Sequence, residues 1–245
     1  MKQSKFIITE NTALTQSVYK MKLKGDTSAF TAPGQFLNIR IEGLYLRRPI
    51  SLCDVSEEDM TIIYKVVGKG TEAMSEMKEG TELDILTGLG NGYDLTITGD
   101  APLLVGGGVG VPPMYYLAKR LLAQGKKVSV ILGFNTADEI FYEEEFKALG
   151  CDVKVTTVDG SVGVKGFVTD ALPESFSHVC ACGPEPMLKA LYKATAEVSG
   201  QFSFEERMGC GFGACVGCTC KTITGYKRIC KDGPVMKKEE ILWEN

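Results

Sequence analysis

The sequence predicts a protein that combines an all-β region, an α/β region and a short cysteine-rich extension. Residues 1–98 hold short runs rich in β-branched and aromatic residues, separated by Gly, Pro and Asn. Residues 99–203 alternate apolar strand-like runs with helical stretches, a pattern typical of parallel α/β domains. Residues 204–245 lose this alternation and contain five of the nine cysteines. We therefore expect three regions with these boundaries.

Composition excludes several classes of protein. The 245 residues include 27 Lys and Arg against 31 Asp and Glu, and the net charge of −4 does not suit a protein that binds a nucleic-acid backbone. Apolar runs are too short to span a bilayer. The N-terminus lacks the apolar segment of a signal peptide. We expect a soluble, cytoplasmic protein.

Six runs in the first region predict short strands, which at this spacing are typical of a barrel or a sandwich. They are KFIITEN, SVYKMKLKG, GQFLNIRI, PISLCDV, MTIIYKVVG and ELDILTG. A helix is predicted over TEAMSEMKEG, with Thr71 as its N-cap and Gly80 as its C-terminal stop.

The second region predicts a doubly wound sheet of parallel strands. A glycine loop at 105–113, VGGGVGVPP, stands between a strand and a helix, where backbone N–H groups can meet a pyrophosphate. Pro112 and Pro113 suit the first turn of that helix. The alternative is a glycine-rich turn without a ligand. The segment GFNTADE after the next strand has no Arg or Lys for a 2′-phosphate, which favours NADH over NADPH. A further helix is predicted over DEIFYEEEFKALG.

Four cysteines in the third region form the pattern C-x4-C-x2-C-x11-C: Cys210, Cys215, Cys218 and Cys230. The first three have the spacing of a plant-type [2Fe–2S] loop, and glycines between them let the chain approach a cluster closely. A zinc site is the alternative, although paired C-x2-C arms are more usual for zinc. Cys220 lies two residues past Cys218, so we expect it beside the site rather than as the fourth ligand.

The remaining cysteines and the single histidine suggest core positions rather than chemistry. Cys53, Cys151, Cys180 and Cys182 lie among apolar neighbours, and most of them are expected to be small core residues. His178 falls in a predicted buried strand, where a structural role is expected.

In the first region, the run LYLRRPISLCD sets two arginines before a strand. Arg48, followed by Pro49, Ile50 and Ser51, offers a guanidinium fork and a hydroxyl for a diphosphate. A second glycine loop, at 68–71, opens a helix and predicts another phosphate contact. In isolation, each signal also fits an ordinary surface arginine pair or turn.

Taken in order, these residues resemble the ferredoxin–NADP⁺ reductase superfamily. Within it they are similar to the electron-transfer subunits of class 1B dihydroorotate dehydrogenases, over essentially the whole chain. The motifs that carry the resemblance are RRPIS (47–51), IIYKVVGKGT (62–71), LGNGY (89–93), LLVGGGVGVPP (103–113), CGPEPML (182–188) and EERMGCGFGACVGC (205–218).

This resemblance implies an N-terminal antiparallel β-barrel for FAD, a Rossmann-like domain for NADH and a C-terminal [2Fe–2S] extension. It assigns the flavin to Arg48, Pro49, Ile50, Ser51, Ile63, Tyr64, Lys65, Gly70 and Thr71. It places the nicotinamide site at Gly107, Gly108, Gly110, Cys182, Gly183 and Pro184. The cluster ligands would be Cys210, Cys215, Cys218 and Cys230.

The resemblance also implies a relay in pyrimidine biosynthesis. Electrons would pass between NAD⁺ and a partner through FAD and the cluster, and the partner would be an FMN-containing catalytic subunit in a heterotetramer of two copies of each. Dihydroorotate oxidation would occur on that partner, so no catalytic residue is expected here. The rival is a related ferredoxin/NAD(P)H oxidoreductase, or the reductase subunit of a sulfite reductase or hydrogenase. A different class of answer is a zinc-stabilised binding module without flavin.

Overall fold

A computed structural model describes residues 1–243, and it confirms the predicted fold class. A closed antiparallel barrel is followed by a seven-stranded, mostly parallel sheet with helices on both faces and by a small cysteine-bearing extension. The last two residues of the predicted third region, 244–245, lie outside the described residues. Within residues 1–243, no helix is both long and apolar enough to span a membrane.

The barrel contains all six predicted strands. They are β1 (Lys2–Ala13), β2 (Val18–Gly25), β3 (Phe36–Ile39), β4 (Arg48–Val55), β5 (Asp59–Lys65) and β6 (Glu82–Leu89). Their order around the barrel is β1-β2-β5-β4-β3-β6. Side chains alternate between the two faces of the sheet. Leu37 and Ile39 of β3 fill the barrel core, whereas Phe36 packs outside it against the C-terminal extension.

The helix after β5 begins earlier and ends earlier than predicted. Helix α1 spans Lys69–Ser75 with Gly68 as its N-cap, so the assignments of Thr71 and Gly80 as its limits were wrong. The Thr71 hydroxyl instead lies one turn inside and accepts the N–H groups of Val67 and Gly68 at 2.9 and 3.3 Å. At the other end the Asn11 amide, from β1, donates to the carbonyls of Met74 and Met77 at 2.9 and 3.0 Å. A tertiary contact therefore satisfies the helix end and stops the helix.

The α/β region is built from parallel strands. These are β7 (Leu103–Gly107), β8 (Ser129–Phe134), β9 (Asp152–Thr157), β10 (Val164–Lys165), β11 (Val179–Cys182) and β12 (Gly200–Ser203). The sheet order is β10-β9-β8-β7-β11-β12, so the direction of winding reverses between β7 and β11. Helices α2 (Val111–Leu122) and α3 (Glu143–Leu149) cover one face, and α4 (Glu185–Ala194) covers the other.

The predicted helix DEIFYEEEFKALG is broken in the middle. A 3₁₀ turn at Ala137–Glu139 is followed by an extended residue, and α3 starts only at Glu143. The rings of Phe141 and Tyr142 turn inward against Phe134 and Tyr115, with centroids 5.4 and 5.1 Å apart. Tyr142 takes a left-handed conformation with φ 67° to allow this, so aromatic packing overrides the helical pattern.

The C-terminal extension is anchored to both preceding regions. It contains β13 (Thr219–Thr222), β14 (Gly225–Arg228), the short helix α5 (Ile229–Asp232) and β15 (Val235–Lys237). Strand β15 pairs antiparallel with β12 and becomes the edge of the large sheet. The buried Lys238 ammonium donates to the carbonyls of Thr195 and Val198 after α4. The extension is therefore held in a fixed place relative to the α/β sheet.

Candidate functional site

A groove of about 340 Å³ separates the barrel from the beginning of the extension. It brings together eight of the nine residues predicted to border a flavin: Arg48, Pro49, Ile50, Ser51, Ile63, Tyr64, Lys65 and Thr71. The ninth, Gly70, lies against Arg48, and a Cβ atom there would come within 2.0 Å of the Arg48 Nε. Glycine is therefore required for the guanidinium to lie over the start of α1.

The two adjacent arginines do different things. Arg48 lines the groove and donates to the carbonyl of Leu46. Arg47 turns the other way, where its guanidinium bonds the Asp84 carboxylate at 2.7 Å and the Asp84 carbonyl at 3.0 Å. Arg47 thus ties the start of β4 to β6, whereas Arg48 faces the groove.

Tyr64 borders the groove, but its side chain belongs to the barrel core. The ring is 2% exposed and the hydroxyl donates to the Asn11 Oδ1 at 3.0 Å. Burial raises the pKa of Tyr64 well above its ordinary range, so the phenol stays neutral. Its contribution to the groove surface therefore comes mainly from the backbone.

Sequence reasoning missed the opposite wall of the groove. It is lined by Phe204, Glu205, Glu206, Met208 and Pro234, with Val109 from the α/β region, whereas Phe36 and Val67 add to the barrel side. Desolvation raises the pKa of Glu205, although the residue is exposed at the surface of this wall. One signal was available for this wall: Glu205 and Glu206 begin the motif EERMGCGFGACVGC, which also contains the cysteine loop. Nothing in the sequence, however, brought that motif to the barrel.

A second edge of the site lies where β7 and β11 end side by side. Gly107 ends β7 and Cys182 ends β11, and their strands pair in register through Cys182 and Gly106. A Cβ at Gly110 would come within 2.1 Å of the Cys182 carbonyl oxygen, so the two loops touch through the backbone. This crevice, at the point where the winding reverses, is where open α/β sheets bind ligands. Gly108, Gly183 and Pro184 lie in the same two loops.

The Cys182 thiol is buried. Its residue is 1% exposed within the sheet's core, and burial raises the pKa of the thiol far above its ordinary value. Cys53, Cys151 and Cys180 are also buried, as predicted. His178 is buried between Ser199 and Gln201, at 2.8 Å from the Ser199 Oγ and 3.2 Å from the Gln201 Nε2, and burial lowers its pKa. The structural role expected of His178 fits these contacts.

The loops after β8 and β9 carry negative charge. The Glu139 carboxylate accepts both the backbone N–H and the side-chain amide of Asn135, at 3.1 and 2.8 Å. The Ser161 hydroxyl donates to Asp159 at 2.6 Å, and these bonds lower the pKa of Asp159. The two loops are joined through the bond from the Ala137 N–H to Ser161. A 2′-phosphate at this end of the crevice would meet carboxylates.

The cysteine loop aims backbone N–H groups at sulfur. The Sγ atoms of Cys210 and Cys215 are 3.4 Å apart, and the Cys215 N–H donates to the Cys210 Sγ at 3.4 Å. Burial opposes ionisation of Cys210, but N–H groups of Cys215, Phe212 and Gly213 outweigh it and lower its pKa to about 6. The loop therefore stabilises a thiolate before any metal is considered.

The other two predicted ligands form a second pair. The Cys230 N–H donates to the Cys218 Sγ at 3.4 Å, and both residues are buried. Burial raises the pKa of Cys230 to about 12, although the N–H of Gly213, from the first pair's loop, partly offsets it. Across residues 1–243, no three His, Cys, Asp or Glu side chains surround a single-ion site. Two thiol pairs beside one loop suit a binuclear cluster better than a tetrahedral zinc ion.

Cys220 lies apart from both pairs. It is in β13 opposite Lys227, half-buried against the apolar residues around Cys218 and Cys230. Desolvation raises its pKa. This position fits the expectation that Cys220 lies beside the site.

Comparison with known proteins identifies the family of this chain. The iron–sulfur cluster binding domain of dihydroorotate dehydrogenase B matches residues 205–242, and the oxidoreductase NAD-binding domain matches residues 104–193. The dihydroorotate dehydrogenase B (NAD(+)) electron transfer subunit of Bacillus pumilus is 45% identical over 255 residues, covering 98% of each chain. The subunit of the same name from Fusobacterium nucleatum is 47% identical over 258 residues, covering 98% of this chain and 99% of that one. This chain belongs to that family.

A solved structure extends the likeness to three dimensions. The NADH-dependent reduced ferredoxin-NADP oxidoreductase matches with a TM-score of 0.87 and 32% identity, over 97% of this chain and 90% of that one. The family resemblance drawn from the motifs is therefore confirmed.

Proposed function

We propose that this chain is the electron-transfer subunit of an NAD-dependent dihydroorotate dehydrogenase, acting in pyrimidine biosynthesis. It would connect an FMN-containing catalytic subunit to NAD⁺. One observation carries the proposal: residues 204–208 form a wall of the groove and run directly into the cysteine loop at Cys210. A cofactor in the groove and one in the loop would therefore be neighbours.

The groove is proposed to hold FAD. Arg48, with Ser51 and Thr71 beside it, would bind the diphosphate, because a guanidinium and hydroxyls suit phosphate oxygens. Pro49, Ile50 and Ile63 would flank the ring system. Lys65, Gly70 and the backbone of Tyr64 complete the barrel side. A bound FAD would supply the exchange between two-electron hydride transfer with NAD(H) and one-electron transfer with the cluster.

NAD(H) is proposed to bind in the crevice bordered by Gly107, Gly108, Gly110, Cys182, Gly183 and Pro184. The two loops touch through the backbone of Gly110 and Cys182, and Val109 of the glycine loop also lines the groove proposed for flavin. The carboxylates of Glu139 and Asp159 support NADH rather than NADPH, because they would repel a 2′-phosphate.

Cys210, Cys215, Cys218 and Cys230 are proposed as the ligands of the [2Fe–2S] cluster. The N–H groups around Cys210 would favour the thiolate form that binds iron. The paired arrangement supports two thiolates at each iron.

The partner is proposed to dock over the cysteine loop, in an assembly of two copies of each subunit in the cytoplasm. Val216 of the loop is 74% exposed and Tyr226 of the neighbouring hairpin is 76% exposed, with Phe212 and Ile223 also at the surface. Apolar side chains gathered around a redox site are typical of a docking surface. None of the nine cysteines, all of which lie within residues 1–243, forms a disulfide bond, which suits a reducing compartment.

The test is an anaerobic purification followed by absorbance spectra with iron and flavin assays, before and after NADH. We expect about two irons and one FAD per chain, since the cluster is binuclear, and bleaching by NADH. Addition of an FMN-containing dihydroorotate-oxidising subunit should give a stable complex that reduces NAD⁺ with dihydroorotate. A colourless protein would refute the proposal. Ferredoxin-linked activity without such a complex would assign the chain to a related reductase.

A further inference from the structure

Asn38 lies at the boundary between the barrel and the cysteine loop. It is in the middle of β3, where it pairs with Pro49 of β4 and with Leu86 of β6. Its neighbours Leu37 and Ile39 point into the barrel core, so Asn38 lies on the opposite face of the strand, yet it is only 2% exposed. The extension covers it, which makes Asn38 a polar group buried at an internal interface.

The side chain of Asn38 bonds the backbone of a predicted cluster ligand. Its Nδ2 donates to the carbonyl of Cys210 at 3.3 Å, across 172 residues of sequence. The next residue, Gly211, has φ +76°, and a Cβ atom on it would come within 2.3 Å of the same Nδ2. Only glycine tolerates both conditions, so the loop is shaped to seat against Asn38.

The strand that presents Asn38 is firmly held. Arg47 donates to the Asn38 carbonyl at 3.3 Å and is itself paired with the Asp84 carboxylate at 2.7 Å. Pro49, opposite Asn38 in the ladder, lines the groove proposed for flavin. One short stretch of β3 and β4 therefore touches the groove through Pro49 and the Cys210 peptide through Asn38.

Stability of the fold does not account for an asparagine here. The Asn38 Oδ1 is buried and has no hydrogen-bond partner among residues 1–243. A buried acceptor without a partner destabilises the folded state, and an apolar residue of the same shape would avoid that cost. The retained benefit is the bond to the Cys210 carbonyl.

We propose that Asn38 is a positioning residue for the iron–sulfur cluster, which holds the Cys210 peptide against the barrel wall and so orients that ligand. The proposal rests on the function proposed above. Outer groups that orient a metal ligand commonly change metal retention by about 10- to 100-fold when they are removed. In this chain the orienting group comes from the flavin barrel rather than from the cysteine loop.

The experiment compares Asn38→Leu with the wild type, both loaded with FAD and cluster. Asn38→Leu removes the bond and the unpaired oxygen, so we expect a melting temperature at or above that of the wild type. Iron release to a chelator should be roughly 10- to 100-fold faster, and the electron paramagnetic resonance spectrum of the reduced cluster should change. Flavin content and the rate of flavin reduction by NADH should stay at wild-type values.

The matched control is Asn11→Leu, which removes a partly buried asparagine that bonds helix α1 and Tyr64 instead of the cysteine loop. It should lower the melting temperature and leave iron release and the cluster spectrum unchanged. If Asn38→Leu fails to fold, Asn38→Ala carries the same test, since it also removes the N–H donor and the unpartnered oxygen and adds no charge.

Wild-type iron release and an unchanged cluster spectrum in the Asn38 variant would overturn this inference alone. A wild-type protein that binds no cluster would instead overturn the proposed function, so the two failures are distinguishable.

Discussion

The barrel wall of the groove and the cysteine loop that follows the opposite wall are built on different principles. The barrel wall consists of strands whose backbone groups are already paired with each other, and its side chains project from a closed sheet. The cysteine loop at 209–218 has no helix or strand, and several of its N–H groups are directed at cysteine sulfurs. The barrel can therefore form without a cofactor, whereas the loop depends on what its sulfurs bind.

The largest expected effect is the loss of iron from the cysteine loop while the barrel still binds FAD. Cys230→Ser removes one thiolate of the buried pair, so we expect nearly all iron to be lost while the barrel still binds FAD. Iron and flavin assays on the same preparation measure both outcomes. The control is Cys220→Ser, which changes the half-buried thiol outside the pairs and should keep the iron. Retention of iron in the Cys230 variant together with its loss in the Cys220 variant would exchange their assigned roles.

Removal of iron from the wild type should show the same division without a mutation. Below about pH 6, the pKa of the iron-free Cys210 thiol, the thiolate is protonated, and the backbone N–H groups of Phe212, Gly213 and Cys215 lose a charged acceptor. A hydrogen bond to a charged group contributes about 1.5–3 kcal/mol, so their amide exchange should accelerate roughly 10- to 100-fold. Hydrogen-exchange mass spectrometry before and after anaerobic chelation measures this. Equal acceleration across β1–β6 would show that the barrel also depends on the cluster.

The sequence predicted the elements that depend on local patterns and missed the features that depend on contacts between distant residues. Strand alternation is local, so all six barrel strands were found. The ends of α1 and the start of α3 were wrong, because Asn11 and the inward rings of Phe141 and Tyr142 act across the fold. These contacts have no local signal.

The same reasoning applies to the site. Motifs with fixed spacing indicated the cysteine pairs and most of the barrel wall. Glu205 and Pro234 on the opposite wall, and Asn38 behind the loop, are brought there by folding alone. Arg47 and Arg48 are adjacent and of the same type, yet Arg47 bonds Asp84 and Arg48 lines the groove.

That difference gives an intermediate prediction for the barrel wall. Arg48→Ala removes the cation proposed for the flavin diphosphate, and loss of a charge-assisted bond of about 2 kcal/mol weakens FAD binding by roughly 30-fold. Fluorescence titration of the flavin-free protein with FAD measures the dissociation constant. Arg47→Ala is the control. It removes the ion pair with Asp84, so it should lower the melting temperature and leave the affinity for FAD close to that of the wild type. Equal effects of both substitutions on FAD binding would contradict the separation of their roles.

The smallest expected effect concerns Glu205, on the wall that leads into the cysteine loop. Desolvation raises the pKa of Glu205, so its protonated form is favoured in the folded protein. The stability that protonation contributes is fully present below the unfolded-state pKa and is lost as pH rises through the raised pKa. Glu205→Gln mimics the neutral form. We therefore expect its melting temperature to equal that of the wild type in acid and to exceed it increasingly towards neutral pH.

The gap should stay small, because Glu205 is exposed at the surface and solvent screens its charge. Thermal unfolding over a series of pH values gives the comparison, with Glu79→Gln, in an exposed turn before β6, as the control for losing one charge. A pH-independent gap for Glu205→Gln would mean that the carboxyl stays in contact with water. The wall would then be open to solvent up to the start of the cysteine loop, and the shielding of a cluster there would have to come from the partner subunit.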